Sequence, residues 1–219
     1  MPGVRERWRT GRFSATIYDA AVERERVARP FGWLMWGTDA RRLYRDIATL
    51  GEEPPGSAIL DVPCGGGVAL RGLRRGQRVR YVAADLSPVM LERARSEATR
   101  RGLSQIEFVE ADVELLPFDD ASFDLCITYN GLHCFADPPA ALAEMVRVVR
   151  SGGGLRGTSA ITGAGARQDA IIRAYQRAGI FGRCGTIDQL RGWLDEAGLV
   201  DVHLDGSGAI AYLRGARPG

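Results

Sequence analysis

Three aspartates each stand just past the end of a short segment that is predicted to form a strand. The segments and their acids are 58–60 with Asp61, 78–84 with Asp85, and 105–110 with Asp112. Any one of these acids could simply cap a helix or occupy a turn. If the segments are parallel strands, their carboxyl ends meet at one edge of a sheet, where small polar ligands bind. The spacing therefore predicts a ligand lying across the tips of three strands.

A glycine-rich turn follows the first of these acids. Gly65, Gly66 and Gly67 allow the backbone to approach a ligand closely, and a helix starting after them would offer free N–H groups. Asp85 lies 18 residues beyond Gly67, which suits hydrogen bonds to a ribose diol. A nicotinamide dinucleotide would use the same acid. Its glycine pattern fails here, however, because Leu70 stands where the third glycine belongs.

Strands and helices alternate along most of the chain. The predicted strands are 58–60, 78–84, 105–110, 123–129, 155–160, 200–205 and 209–215. The predicted helices of the core are 88–101, 138–149, 166–179 and 187–197, with a turn over 151–154. This order predicts an α/β fold with a single doubly wound, Rossmann-like sheet, mostly parallel with an antiparallel last strand and helices on both faces.

The first part of the chain differs in character from the rest. Residues 1–56 are predicted to form an N-terminal helical lid or substrate cap, with helices up to Arg29 and from Thr38 or Asp39 to Leu50, and residues 57–219 to form the core. Between these two helices lies an aromatic segment that contains Trp33 and Trp36. Its rings either dock the segment on the core or form one wall of a pocket.

Composition restricts the possible functions of the 219 residues. All 29 basic residues are arginine, so lysine chemistry is excluded, and a net charge of +2 gives no indication of nucleic-acid binding. Four scattered cysteines and two histidines do not predict a metal site. No apolar run is long enough to span a membrane, and we expect a cytoplasmic protein.

The ordered motifs resemble those of class I S-adenosylmethionine (SAM)-dependent methyltransferases of the small-molecule type, which include quinone-biosynthesis enzymes. Asp61–Gly67 resembles the family's glycine motif, Asp85–Leu91 its ribose segment and Glu110–Phe118 its adenine segment. Segments 123–125 and 141–154 complete the pattern. The family usually has glycine at the position of Pro63. Proline offers no N–H, but its carbonyl remains able to accept a hydrogen bond.

The resemblance implies a set of cofactor contacts. In this sequence they fall on Tyr18, Asp61, Pro63, Gly65, Gly67, Asp85, Leu86, Met90, Asp112, Val113, Tyr129 and Asn130. Asp85 would hold the ribose hydroxyls, and Leu86 and Met90 would pack on the adenine. Asp112 would accept from the adenine amino group, and the Val113 N–H would donate to the ring.

Catalysis by this family requires alignment of an acceptor with the activated methyl group, and sometimes a general base. His133 is the candidate base, although a hydrogen bond to substrate and a plain loop role remain open. The acceptor pocket is predicted to involve Trp33, Trp36, His133 and Tyr175.

The resemblance implies in-line methyl transfer from SAM to an O, N or C nucleophile of a small-molecule acceptor, with S-adenosylhomocysteine as product. We expect neither nucleic acid nor a metal as partner, and a monomer or homodimer. The alternatives are a SAM-binding protein of this fold without methyl transfer, and a nucleic-acid methyltransferase.

Overall fold

The computed structural model describes residues 4–10 and 32–219. Over these ranges, helices alternate with the strands of one sheet. The predicted helix that ends near Arg29 lies outside the described residues, and so does Tyr18. The division at residue 56 into a lid and a core stays a prediction.

The elements agree closely with the predicted ones. The strands are β1 (Ala58–Asp61), β2 (Arg80–Asp85), β3 (Ile106–Glu110), β4 (Phe123–Tyr129), β5 (Val149–Ala160), β6 (Val200–Ser207) and β7 (Ile210–Ala216). The α-helices are α1 (Val4–Thr10), α2 (Arg41–Ala48), α3 (Pro88–Arg101), α4 (Pro138–Val148), α5 (Ala166–Arg177) and α6 (Ile187–Glu196). A π-helical turn covers Gly32–Trp36, and 3₁₀ turns cover Thr49–Glu52, Val68–Gly72 and Leu132–Cys134.

The sheet of the described residues has the strand order β3-β2-β1-β4-β5-β7-β6. Pairing is parallel from β3 through β5, and β7 runs antiparallel to both of its neighbours. The order reverses direction between β1 and β4, which leaves a crevice at the carboxyl ends of these strands. The predicted fold class is therefore confirmed, including the antiparallel last strand.

A hydrophobic cluster covers each face of the sheet. Neighbouring residues of a strand belong to different clusters, because their side chains point to opposite faces. Leu60 and Val82 belong to one hydrophobic cluster, which α4 and α6 cover. Ile59 and Tyr81 belong to the other, which α2, α3 and α5 cover. Coverage on both faces explains why β1 reads as an uninterrupted apolar run.

Two local predictions were wrong. The glycine turn after β1 leads into a short 3₁₀ helix, Val68–Gly72, and not into a full helix. A Cβ on Gly72 would lie 1.9 Å from the Ile47 carbonyl oxygen, so this turn packs directly against α2. The predicted turn at 151–154 is part of β5, where a register shift and the positive φ of Gly152 accommodate the glycines.

Candidate active site

A cleft opens at the carboxyl ends of β1, β2 and β3. Its empty volume is about 970 Å³, including the open mouth. The cleft is lined by nine of the predicted cofactor residues: Pro63, Gly65, Asp85, Leu86, Met90, Asp112, Val113, Tyr129 and Asn130. Residues up to 67 positions apart in the chain therefore meet at one site, as the parallel topology requires.

Asp85 fixes the shape of the glycine turn. The Gly65 N–H donates to Oδ2 at 2.9 Å, and the Ser87 N–H donates to Oδ1 at 2.8 Å. Gly65 has a φ of 51°, and a Cβ at this position would meet no atom within 4 Å, so a side chain would extend into open space at the cleft. The turn thus leaves room for a ligand directly above the backbone.

Asp61 lies beneath the cleft and is not one of its lining residues. It is 1% exposed, and Oδ2 accepts a hydrogen bond from the Tyr81 hydroxyl at 2.7 Å. Burial raises the pKa of the Asp61 carboxyl from 3.8 to about 7; the Tyr81 hydrogen bond opposes this rise and the nearby Asp85 adds to it. A cation bound above this carboxyl would favour its ionised form.

Gly67 also supports the cleft from below. Its φ is 88°, and a Cβ would lie 2.9 Å from Leu70 Cδ1 and 3.3 Å from Ala94 Cα. Like Asp61, it does not line the cleft. The close approach allows the 3₁₀ turn to pack against α3.

The wall beside β3 carries two acids and an arginine from α1. Asp112 Oδ1 accepts from the Glu114 N–H at 3.1 Å, and Arg5 Nε lies 3.0 Å from Asp112 Oδ2. Arg5 also forms an ion pair with Glu114. The α1 helix is thereby attached to the wall predicted to receive the adenine ring.

The residues after β4 are held by hydrogen bonds to other elements. The Tyr129 hydroxyl donates to Asp46 Oδ2 at 2.6 Å, which links the cleft to α2. Asn130 has a φ of 55°, and its Oδ1 accepts from the Thr158 hydroxyl at 2.9 Å. The side chain bond to β5 stabilises a backbone conformation that asparagine tolerates better than most residues.

Pro63 packs against the loop that follows β4. The Val62–Pro63 peptide is cis. A Cβ on Gly131 would lie 2.1 Å from Pro63 Cδ and 2.7 Å from Thr128 Oγ1. The proline therefore occupies space that only a glycine on the neighbouring loop leaves open.

His133 is buried behind the cleft, 2% exposed, and does not line it. Its Nδ1 accepts a hydrogen bond from the Ala160 N–H at 3.0 Å, and its ring centroid lies 4.3 Å from that of Phe181. Burial lowers the pKa of His133 from 6.5 to about 3. A neutral imidazole has one acceptor nitrogen, and Ala160 occupies it. This geometry favours the loop role over the base role, which the sequence left open.

Of the other predicted acceptor residues, Trp36 and Tyr175 lie together, and neither these two nor Trp33 line the cleft. Trp36 stacks with Tyr175 and Phe181 at centroid distances of 6.1 and 6.0 Å, and Tyr175 stacks with Phe181 at 4.9 Å. Trp33 is 71% exposed. The rings of Trp36 and Tyr175 thus pack the segment onto the core, which is the first of the two interpretations given above. Their part in acceptor binding remains a prediction.

Several residues of the cleft were missed by the sequence interpretation. They are Arg5 and Trp8 of α1, together with Cys134, Phe135 and Ala136 after β4. The indole N–H of Trp8 donates to the Ile180 carbonyl at 3.0 Å. Nothing in the sequence around Trp8 distinguishes it from the three other tryptophans, because only the folded chain brings α1 to the cleft.

The donor set of the cleft fits an adenosyl reagent. A carboxylate stands at the tip of β2, a second acid follows β3, and the apolar side chains of Leu86 and Met90 lie between them. Among residues 4–10 and 32–219, no group of histidine, cysteine and acidic side chains is arranged to hold a metal ion. Within the same ranges, no helix combines the length and apolar character needed to cross a membrane.

Comparison with known proteins identifies the domain that holds this cleft. Residues 60–156 match a family model described as a methyltransferase domain. This match assigns residues 60–156 to a methyltransferase domain family. The matched residues include the end of β1, the glycine turn and the segments that follow β2, β3 and β4, so the family resemblance inferred from the motifs is confirmed.

Curated relatives of this methyltransferase domain extend the match. A demethylmenaquinone methyltransferase from Thermus thermophilus is 40% identical over 123 residues, covering 56% of this chain and 55% of the relative. A malonyl-[acyl-carrier protein] O-methyltransferase from Serratia marcescens is 35% identical over 144 residues, covering 63% and 54%. The chain spans about half the length of the curated relatives it matches.

A solved structure gives the same fold at low sequence identity. A SAM-dependent methyltransferase from Thermotoga maritima superposes with a TM-score of 0.66 and 17% identity, covering 94% of this chain and 96% of that one. At this identity the likeness supports the fold alone.

Proposed function

We propose that this protein transfers the methyl group of SAM to a small-molecule acceptor. The observation that carries the proposal is the cleft across the tips of β1, β2 and β3, which is lined mostly by residues of the matched domain, including Asp85 and Asp112. The relative named as a demethylmenaquinone methyltransferase supports a small-molecule acceptor, and the relative named as an O-methyltransferase supports an oxygen nucleophile.

The adenosine half of the reagent would lie against the second and third strands. Both oxygens of Asp85 accept backbone N–H groups. A carboxylate oxygen can accept more than one hydrogen bond, so the ribose hydroxyls would also donate to Asp85. Leu86 and Met90 would contact the adenine faces. Asp112 would receive the amino group and the Val113 N–H would reach the ring edge.

The methionine half would lie over the first and fourth strands. The Pro63 carbonyl and the turn at Gly65 would receive the ammonium and carboxylate groups, with Tyr129 and Asn130 alongside. The buried carboxyl of Asp61, beneath this position, would become ionised beside a cation.

SAM supplies a methyl group already activated by a positively charged sulfur. The protein must then hold the acceptor atom in line with the S–CH₃ bond, which lowers the barrier by roughly 7–11 kcal/mol when the alignment is good. Since the Ala160 N–H occupies the acceptor nitrogen of His133, the proton of the acceptor would leave to solvent during the transfer.

Calorimetric titration with SAM and with S-adenosylhomocysteine tests the proposal. We expect both to bind, and Asp85→Asn to weaken both by about tenfold or more, because an amide loses one acceptor oxygen. Asp195→Asn, on the exposed side of α6, is the matched control and should bind like the unmodified protein. Absence of binding by either compound would overturn the proposal.

Turnover separates methyl transfer from the alternatives. Mass spectrometry should detect S-adenosylhomocysteine formed with at least one member of a panel of phenols, quinols and carboxylic acids. Tight binding of SAM with no product from any acceptor would favour a SAM-binding protein without transferase activity. Turnover with duplex DNA or RNA alone would favour a nucleic-acid methyltransferase.

A further inference from the structure

The cleft extends beyond the part assigned to the cofactor. The first three strand tips carry the segments assigned to the cofactor. The remaining wall is formed by Cys134, Phe135 and Ala136, which follow β4, and by Trp8 of α1. These side chains are apolar or weakly polar. The second substrate of a transfer reaction must bind beside the first, so this wall is the available position for the acceptor.

Helix α1 connects the two parts of the cleft. Arg5 pairs with Asp112 and Glu114 on the adenine side. One turn later, the Trp8 indole N–H donates to the Ile180 carbonyl, on the segment that packs behind the loop after β4. Arg5 and Trp8 both line the cleft, so α1 forms part of its wall. The hydrogen bond from the indole N–H to Ile180 holds the Trp8 ring beside the residues that follow β4.

Within the part of the chain that the structure describes, the ionisable side chains on and beside this wall of the cleft already have partners. Arg5 is paired with two carboxylates, and the Tyr129 hydroxyl donates to Asp46. The Cys134 thiol donates to the Asn130 carbonyl at 3.8 Å. Burial raises the pKa of Cys134 well above its usual value, so the thiol is neutral at neutral pH. A charged acceptor would find no counter-ion among these residues.

We propose that Trp8 determines acceptor specificity, and that the acceptor is an uncharged compound with a planar apolar ring that stacks on the Trp8 indole. The inference rests on the proposed methyl transfer and adds to it the substrate class and the residue that selects it. Offset stacking on a fixed indole favours flat rings over saturated ones of the same size. A negative charge on the acceptor would lose its hydration without gaining a partner among the cleft residues that the structure describes.

Binding of matched probes to the protein loaded with S-adenosylhomocysteine tests this inference. The probes are 2-naphthol and 2-naphthoate, which share a ring system and differ in charge. We expect 2-naphthol to bind at least about tenfold more tightly than 2-naphthoate. Failure of 2-naphthol to bind, or tighter binding of 2-naphthoate, would overturn the substrate class.

Variants at Trp8 and at one control position test the residue. Trp8→Ala should weaken 2-naphthol binding by about tenfold or more, and Trp8→Phe should retain most of it, because a phenyl ring still stacks. Val200→Ala shortens an exposed apolar side chain on β6, away from the residues that line the cleft, and should leave the affinity unchanged. Equal affinity in Trp8→Ala and the unmodified protein would overturn the role of Trp8.

The affinity for S-adenosylhomocysteine distinguishes the possible failures. It should stay within about threefold in all of these variants, because the described contacts of the Trp8 indole are on the acceptor side. If Trp8→Ala loses this ligand and 2-naphthol together, Trp8 supports the whole cleft and does not select the acceptor. If the unmodified protein does not bind S-adenosylhomocysteine at all, the proposed function itself fails.

Discussion

Replacing Asp61 with asparagine should change the way in which stability depends on pH. The carboxyl is 1% exposed, and an asparagine Oδ1 could still accept the 2.7 Å hydrogen bond from Tyr81. Burial raises the pKa of Asp61 from 3.8 to about 7. The folded protein therefore keeps a proton between these pH values that the unfolded chain has released.

The sign and size of the effect follow from linkage. Because the folded state binds the extra proton, the free energy of unfolding falls as pH rises from about 4 to about 7 and is then constant. The rise from 3.8 to about 7, at roughly 1.4 kcal/mol for each pH unit, gives about 4 kcal/mol. Asp61→Asn should remove this loss. Its stability relative to the unmodified protein should therefore increase by up to about 4 kcal/mol across this range.

Comparison of the two proteins isolates this carboxyl from other titrating groups. Burial lowers the pKa of His133 from 6.5 to about 3, which makes stability rise with pH over an overlapping range. That contribution is common to both proteins and cancels in the difference. The groups that act on Asp61 are the Tyr81 hydroxyl and the Asp85 carboxylate, with the Cys64, Cys126 and Tyr129 side chains nearby.

Urea unfolding from about pH 4 to about pH 8 measures the difference directly. Tyr81→Phe should extend the fall in stability above pH 7, because its hydroxyl bond holds the pKa of Asp61 down. Asp195→Asn should run parallel to the unmodified protein. The measured quantity is the free energy of unfolding of Asp61→Asn minus that of the unmodified protein. A value that stays constant or decreases as pH rises would refute the reasoning.

Two further variants test the loops around the cleft. Gly131→Ala should lower the thermal midpoint and weaken SAM binding, because its Cβ would lie 2.1 Å from Pro63 Cδ. The control Gly192→Ala, in open space on α6, should be neutral or stabilising. Equal thermal midpoints for the two variants would contradict the packing of Gly131 against Pro63. His133→Phe should lose about 1–3 kcal/mol of stability by leaving the Ala160 N–H without an acceptor, whereas His133→Asn offers a replacement oxygen. Turnover per folded molecule of His133→Asn should have the same pH profile as that of the unmodified protein. Loss of the acid limb of this profile would support His133 as the general base.

Local sequence patterns were sufficient to predict most of the fold. Phe123–Tyr129 was predicted with the bounds that β4 has, and Pro88 was correctly predicted to begin α3. The segment 151–154 was predicted incorrectly because glycines are typical of turns, while pairing with β4 and β7 keeps them in β5. Cross-strand pairing is a tertiary effect, and no window of sequence contains it.

The sequence by itself determined the family, the order of the strands along the chain and the acids at three strand tips, because these depend on motifs whose members are close in sequence. Only the tertiary structure decided which side chains face the cleft. It left Asp61 and His133 buried behind the cleft and Trp36 stacked on Tyr175, and it brought Trp8, near the N-terminus, into the wall of the cleft. Contacts between distant segments depend on how helices and strands pack, and composition and spacing carry no record of that packing.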